Sequence, residues 1–195
     1  MTERTLDLIY KNYIYINYGP ETVGEYFLIP SWPDQIRDSQ SPMFAKTNAL
    51  SRSAPVFAYS YTEDRTVNMT IKLHRDMFDQ INFEGSNVSP YLDEDYVETF
   101  IRKLQAIAVP KYNTNARAVQ PPSVACRIGN ELFIKGVVTG TIKTSYEAPI
   151  LDNGHYANVS CEFTISETSP YDAETIMNEG SFRGFNRTFR NTFLG

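Results

Sequence analysis

Two cysteines, two histidines and one tryptophan are all the chain of 195 residues holds of those types. So few cysteines exclude a disulfide-stapled framework. The histidines and cysteines show no paired, closely spaced set of the kind that holds zinc. No apolar run approaches the roughly 20 residues needed to cross a bilayer, so no membrane partner is expected. The ten glycines form neither a phosphate loop nor a dinucleotide fingerprint. Basic residues are the minority, 18 against 23 acidic, for a net charge of -5. A generic nucleic-acid binder usually carries the opposite sign, so a basic-groove protein is disfavoured. The opening MTERTLDLIYKNY places charges where an export signal has an apolar core, so secretion is not expected. The Asn-x-Ser/Thr sites at Asn68, Asn87, Asn158 and Asn186 then read as chance products of an Asn- and Thr-rich chain.

Aromatic residues are abundant: 13 Tyr and 12 Phe. Some of those rings must lie outside a core of this size, and Tyr is well suited to interfaces because it adds area with a polar tip. Apolar residues make up 42% and charged residues 21%, which fits one globular domain with arms.

The pattern is mainly that of antiparallel sheet. In 66–74, Val67, Met69, Ile71 and Leu73 alternate with polar residues, the period of a half-wet strand. The run PVFAYSY at 55–61 precedes it, and 62–65 is predicted to turn the two into a hairpin. A long run from Leu132 to Tyr146 carries Gly136 and Gly140 on its apolar face, where a bend or a close backbone approach is expected. Asp152-Asn153-Gly154 turns it into 156–166, whose inward set includes Val159, Cys161 and Phe163. Ser123 to Ile128 is a further short strand, turned into the long run by Gly129-Asn130. At least five strands in two hairpin groups are therefore expected.

One helix, over about residues 90–108, separates the groups. Ser89-Pro90 supplies a start, and Asp93, Glu94 and Asp95 suit the positive end of the helix dipole. Val97, Phe100, Ile101, Leu104 and Ile107 make its apolar stripe, and Pro110 ends it. Met69, Ile71, Ile101, Leu104, Val138, Ile142, Val159 and Phe163 are predicted to be buried together.

No catalytic, cofactor-binding or metal-binding residue is assigned. His74 and His155 read as surface residues, and Cys161 as a small core residue. The acids at 93–98 are those of a helix start. What stands out lies in two flanking segments. Residues 1–25 form an N-terminal arm with Tyr10, Tyr13 and Tyr15. Residues 173–195 form a C-terminal docking tail, in which Phe182, Phe185, Phe189 and Phe193 interleave with Arg183, Arg187 and Arg190. The Phe spacing fits one face of a short helix, expected to dock on a neighbouring subunit. These ten residues are the candidate protein interface.

Three stretches carry a resemblance: the run IPSWPDQIRDSQSPMFAKTNALSRSAPVFAYSYTEDRTVNMTIKLHRDMF, then PPSVACRIGNELFIKGVVTGTIKTSYEAPI, then DNGHYANVSCEFTISETSPYD. Together they cover most of 26–172, the expected body. This region resembles the tube-like domain of the baseplate hub and tail tube proteins of contractile phage tails. In that family the body is often followed by a LysM module, whereas here the Phe/Arg segment follows it. The resemblance implies an antiparallel β-sandwich or split barrel of tail-tube type (α+β, mainly β with one helix) with extended arms. It implies a structural, non-enzymatic protein of the virion, made in the host cytoplasm and needing no cofactor. Its implied partners are copies of itself in a ring, a hexamer, and neighbouring tail tube and baseplate proteins, with DNA passing unbound. The acidic balance suits such a lumen, since negative walls repel phosphates. A rival reading is a small β-sandwich carbohydrate-binding module using exposed Tyr and Trp32. A third is a hydrolase built on Cys161 and a histidine.

Overall fold

A computed structural model describes residues 12–18, 24–29, 31–48, 53–75, 90–110 and 121–185. It is mainly β, with nine strands and two α-helices among the described residues. The strands are β1 (Asn12–Asn17), β2 (Glu25–Leu28), β3 (Gln35–Ser39), β4 (Pro42–Thr47), β5 (Val56–Thr62), β6 (Thr66–His74), β7 (Ser123–Ile128), β8 (Leu132–Ile150) and β9 (Tyr156–Glu167). The helices are α1 (Tyr96–Ile107) and α2 (Ala173–Glu179), the second followed by a 3-10 turn at Gly180–Phe182.

Seven strands form one antiparallel sheet in the order β2-β1-β7-β8-β9-β6-β3, and β4 and β5 form a separate ribbon. Of the two expected hairpin groups, 66–74 and the whole second group lie in that one sheet, whereas 55–61 lies in the ribbon. That sheet is strongly curled. The Ile29 N–H donates to Asn12 O on β1, and two residues later the Ser31 hydroxyl donates to Lys72 O on β6. In a flat sheet β1 and β6 would lie four spacings apart, about 19 Å, far beyond the reach of two residues. The core fills the inside of the curl. It gathers Ile14, Ile16, Phe27, Met69, Ile71, Cys126, Ile134, Val159 and Phe163 with the apolar stripe of α1. Of the eight predicted core residues, six are buried, while Val138 and Ile142 are partly buried and pack against the cluster.

Both strand glycines act as the sequence suggests. A Cβ on Gly136 would fall 1.8 Å from Ser166 O, so β8 and β9 approach there as only glycine permits. Gly140, at φ +74°, lies where the β8–β9 register shifts between Thr139 and Lys143. The turns at Gly129-Asn130 and 152–154 join the strands that the sequence assigned to them.

Several expectations need correction. The run 55–61 does not pair with 66–74. The two sides of β6 are taken by β3 and β9, and β5 pairs with β4 instead. Residues 63–65 link ribbon to sheet. The Glu63 N–H closes the ribbon root on Ser41 O, and the Arg65 side chain is buried. The helix starts later than Pro90, with Asp95 as its cap. The Asp95 carboxylate accepts from Glu98 N, and the Glu98 carboxylate accepts from Asp95 N, so two orphan donors are satisfied at once. Residues 12–17, read as part of an arm, are a strand between β2 and β7. Helix α2 was not foreseen.

Candidate interaction surface

The β4–β5 ribbon is exposed along its whole length. Opposed residues of an antiparallel pair share a face. Phe44 opposes Tyr59 and Lys46 opposes Phe57, while Ala45 opposes Ala58 and Thr47 opposes Val56. One face is therefore aromatic and the other small. The aromatic face is internally ordered: the Phe44 ring meets Tyr59 at 5.8 Å and Phe57 at 6.5 Å, both edge to face. Yet Phe44, Phe57 and Tyr59 are 53%, 60% and 62% exposed. A two-stranded ribbon is at best marginally stable alone in water. Three large rings on one would gain about 1.5–3 kcal/mol each on full burial.

At the ribbon root the wall changes to charge. Arg65 donates from Nε and Nη2 to the Asp38 carboxylate at 2.6–3.0 Å and from Nη1 to Phe133 O at 3.3 Å. Its Nη1 stands 3.7 Å from Glu167, which Arg183 also engages, through Nε at 3.2 Å and Nη2 at 3.1 Å. Burial pushes the Glu167 carboxyl above its usual range, against the pull of the two guanidiniums. Arg183 also lies over the Tyr171 ring at 5.5 Å. This buried triad pins the segment after α2 to the place where the ribbon leaves the sheet.

The sequence-predicted interface residues are scattered. Tyr13 is buried on the face of β1 opposite Ile14 and Ile16, in a small cluster with Tyr26 and Leu28, and burial pushes its phenol up to about 12. Tyr15 packs at the edge of that cluster, its phenol also raised by burial. Arg183 and Phe185 both make contacts within their own chain. The Phe185 ring sits 5.1 Å from that of Phe133 and 4.8 Å from the Arg127 guanidinium. Backbone geometry also departs from the single short helix expected there, since Arg183 is extended at ψ 138° after the 3-10 turn. Tyr10, Arg187, Phe189, Arg190 and Phe193, and the side chain of Phe182, lie outside the described residues.

Other chemistry is not assembled around the cysteines. Burial raises Cys126 to about 12 and Cys161 to about 11, so both thiols hold their protons at neutral pH. His155 immediately precedes β9, six residues from Cys161, about 20 Å for extended chain. His74 pairs with Asn158, three residues from Cys161 on the same strand. The Trp32 ring packs against Gly129, where a Cβ would fall 2.1 Å from Cη2, while the residue remains partly exposed. No described helix is long and apolar enough to cross a membrane.

No protein-family model matches the sequence, and no curated protein matches it. The ribbon was missed in the sequence as a site, although the alternation of Phe57, Tyr59 and Tyr61 with Ala58 and Ser60 was its signal.

Proposed function

We propose that this chain is a structural subunit of a phage tail tube or baseplate. It closes with copies of itself into a ring, six-fold, that extends the tube or joins it to the hub and lets DNA pass. The single observation that carries the reading is the ribbon: an exposed arm with one aromatic face and one small face. Two unlike faces on one arm favour a heterologous contact, in which a patch of one copy meets a different patch of the next. Repeated about an axis, such contacts close a ring. The curled sheet supports a split barrel of tail-tube type as the ring's body. The net charge of -5 recurs in every copy, which suits a lumen from which phosphates are repelled. The site of action is the virion, after synthesis in the host cytoplasm, with neighbouring tube and baseplate proteins above and below.

Light scattering on the purified chain, with and without its neighbours, tests this. The expected result is a ring-sized particle whose formation needs Phe44 and Phe57. A monomer under every condition, or a ring indifferent to both residues, would contradict it.

A further inference from the structure

Between the root of the ribbon and α2 lies a cleft of about 970 Å³. Tyr59 and Tyr61 line one wall, and Pro170 and Ile176 line the other. Its floor is Arg65 and Glu167, both already engaged in the buried triad. The carboxylates that edge it, Glu63, Asp64 and Asp172, lie on exposed residues. Asp172 is further held in its charged form, its carboxyl lowered by hydrogen bonds from the Thr175 side chain and backbone. The volume is at the upper end for a ligand cleft. Both walls are long and part apolar, and the edge is acidic. That combination fits an extended peptide with aromatic side chains and positive charge better than a compact small molecule.

Residues 186–195, NRTFRNTFLG, have that chemistry: Phe189 and Phe193 with Arg187 and Arg190, and no acidic side chain. We propose that the cleft receives residues 186–195 of a second copy of this chain. The proposal rests on the ring reading, and it supplies that ring with a specific clasp. The choice of a second copy follows from the path of the chain. Arg183 lies over the ring of Tyr171, a residue of the cleft lining, and Gly184 then turns at φ +73° against the Tyr171 hydroxyl. Phe185 seats on Phe133 and Arg127, on β8 and β7. The last described residue is thus anchored on the sheet, outside the lining of its own chain's cleft. In the clasp, Phe189 and Phe193 pack on Tyr59, Tyr61 and Ile176, while Arg187 and Arg190 meet the acidic edge. The aromatics dominate the affinity and the arginines set orientation and salt dependence.

The test is photo-crosslinking in the full chain carrying Phe189→p-benzoylphenylalanine, prepared as a mixture of isotopically light and heavy copies. The expected result is mixed light–heavy products joining position 189 to residues 59–62 or 168–176. Tyr61→Ser, an exposed position, should lower their yield about tenfold. Products confined to single copies would overturn the second-copy assignment, and products elsewhere, or none, would overturn the cleft. Light scattering on the same samples separates this from the ring reading. A ring crosslinked elsewhere sinks only the clasp, whereas clasped pairs that never close into a ring sink the ring and leave the clasp standing.

Discussion

The Cys126 thiol lies 3.8 Å from the Met69 thioether, although β7 and β6 are three strand spacings apart along the sheet. In a flat sheet that separation would be about 14 Å. The contact is therefore made across the inside of a curl, and everything packed there depends on the curl being held. Helix α1 helps to hold it. The Tyr96 hydroxyl donates to Leu28 O on β2, Lys103 pairs with Glu25 at the start of the same strand, and Arg75 beyond β6 pairs with Asp95.

Removing packing from α1 should loosen the body. Leu104, buried in the core cluster, faces this interior. Leu104→Ala is expected to cost about 2–5 kcal/mol, read as a lowered urea midpoint at unchanged slope. An unchanged midpoint would mean that the helix does not pack into the curl.

Alkaline pH should destabilise the protein from about pH 9 upward. Burial raises the Cys126 thiol from 9.0 to about 12 and Cys161 from 9.0 to about 11. The unfolded chain therefore sheds these protons first. The stabilisation is complete below pH 9 and is lost as pH rises through the folded values. Cys126→Ala should flatten the fall of melting temperature between pH 9 and 11. An equally steep fall in the variant would assign the effect elsewhere.

The buried triad predicts a non-additive pair. Arg183→Ala leaves Glu167, with its side chain nearly inaccessible, to Arg65 alone. The expected loss is about 3 kcal/mol by urea unfolding. Adding Glu167→Gln should recover part of it, because the uncompensated charge is gone. Strictly additive losses would show that the two side chains are not coupled.

The ribbon predicts a split between folding and assembly. Phe44→Ser with Phe57→Ser removes exposed rings, so the monomer's stability should change by no more than about 0.5 kcal/mol. Ring formation should nevertheless fail, because the anchors of the interface are gone. Loss of folding, or assembly at wild-type yield, would reject the separation.

Much of this fold is readable in the sequence because alternation reports burial directly. Val67, Met69, Ile71 and Leu73 are all buried, as are Val159, Cys161 and Phe163. Pairing is harder to read. The run 55–61 is visibly a strand, but its partner depends on both sides of β6 being taken by strands distant in sequence. Tyr13 and Tyr15 alternate with Ile14 and Ile16 as a strand should, yet nothing local says that this strand lies inside the sheet. Two start signals competed at α1, and the later one wins because Asp95 and Glu98 satisfy each other's backbone. Arg65 looks like an ordinary turn residue until the fold brings Asp38 and Glu167 to it. The candidate surface shares this limit: its alternating rings are legible, but their exposure follows only from the ribbon leaving the sheet.

The most direct test of the account is an electron cryomicroscopy map of the assembled particle containing this chain. The account predicts closed six-fold rings about the tail axis, with each β4–β5 ribbon buried on the adjoining copy and DNA free to pass through the lumen. A single isolated copy per particle, or rings whose ribbons remain in solvent, would contradict it.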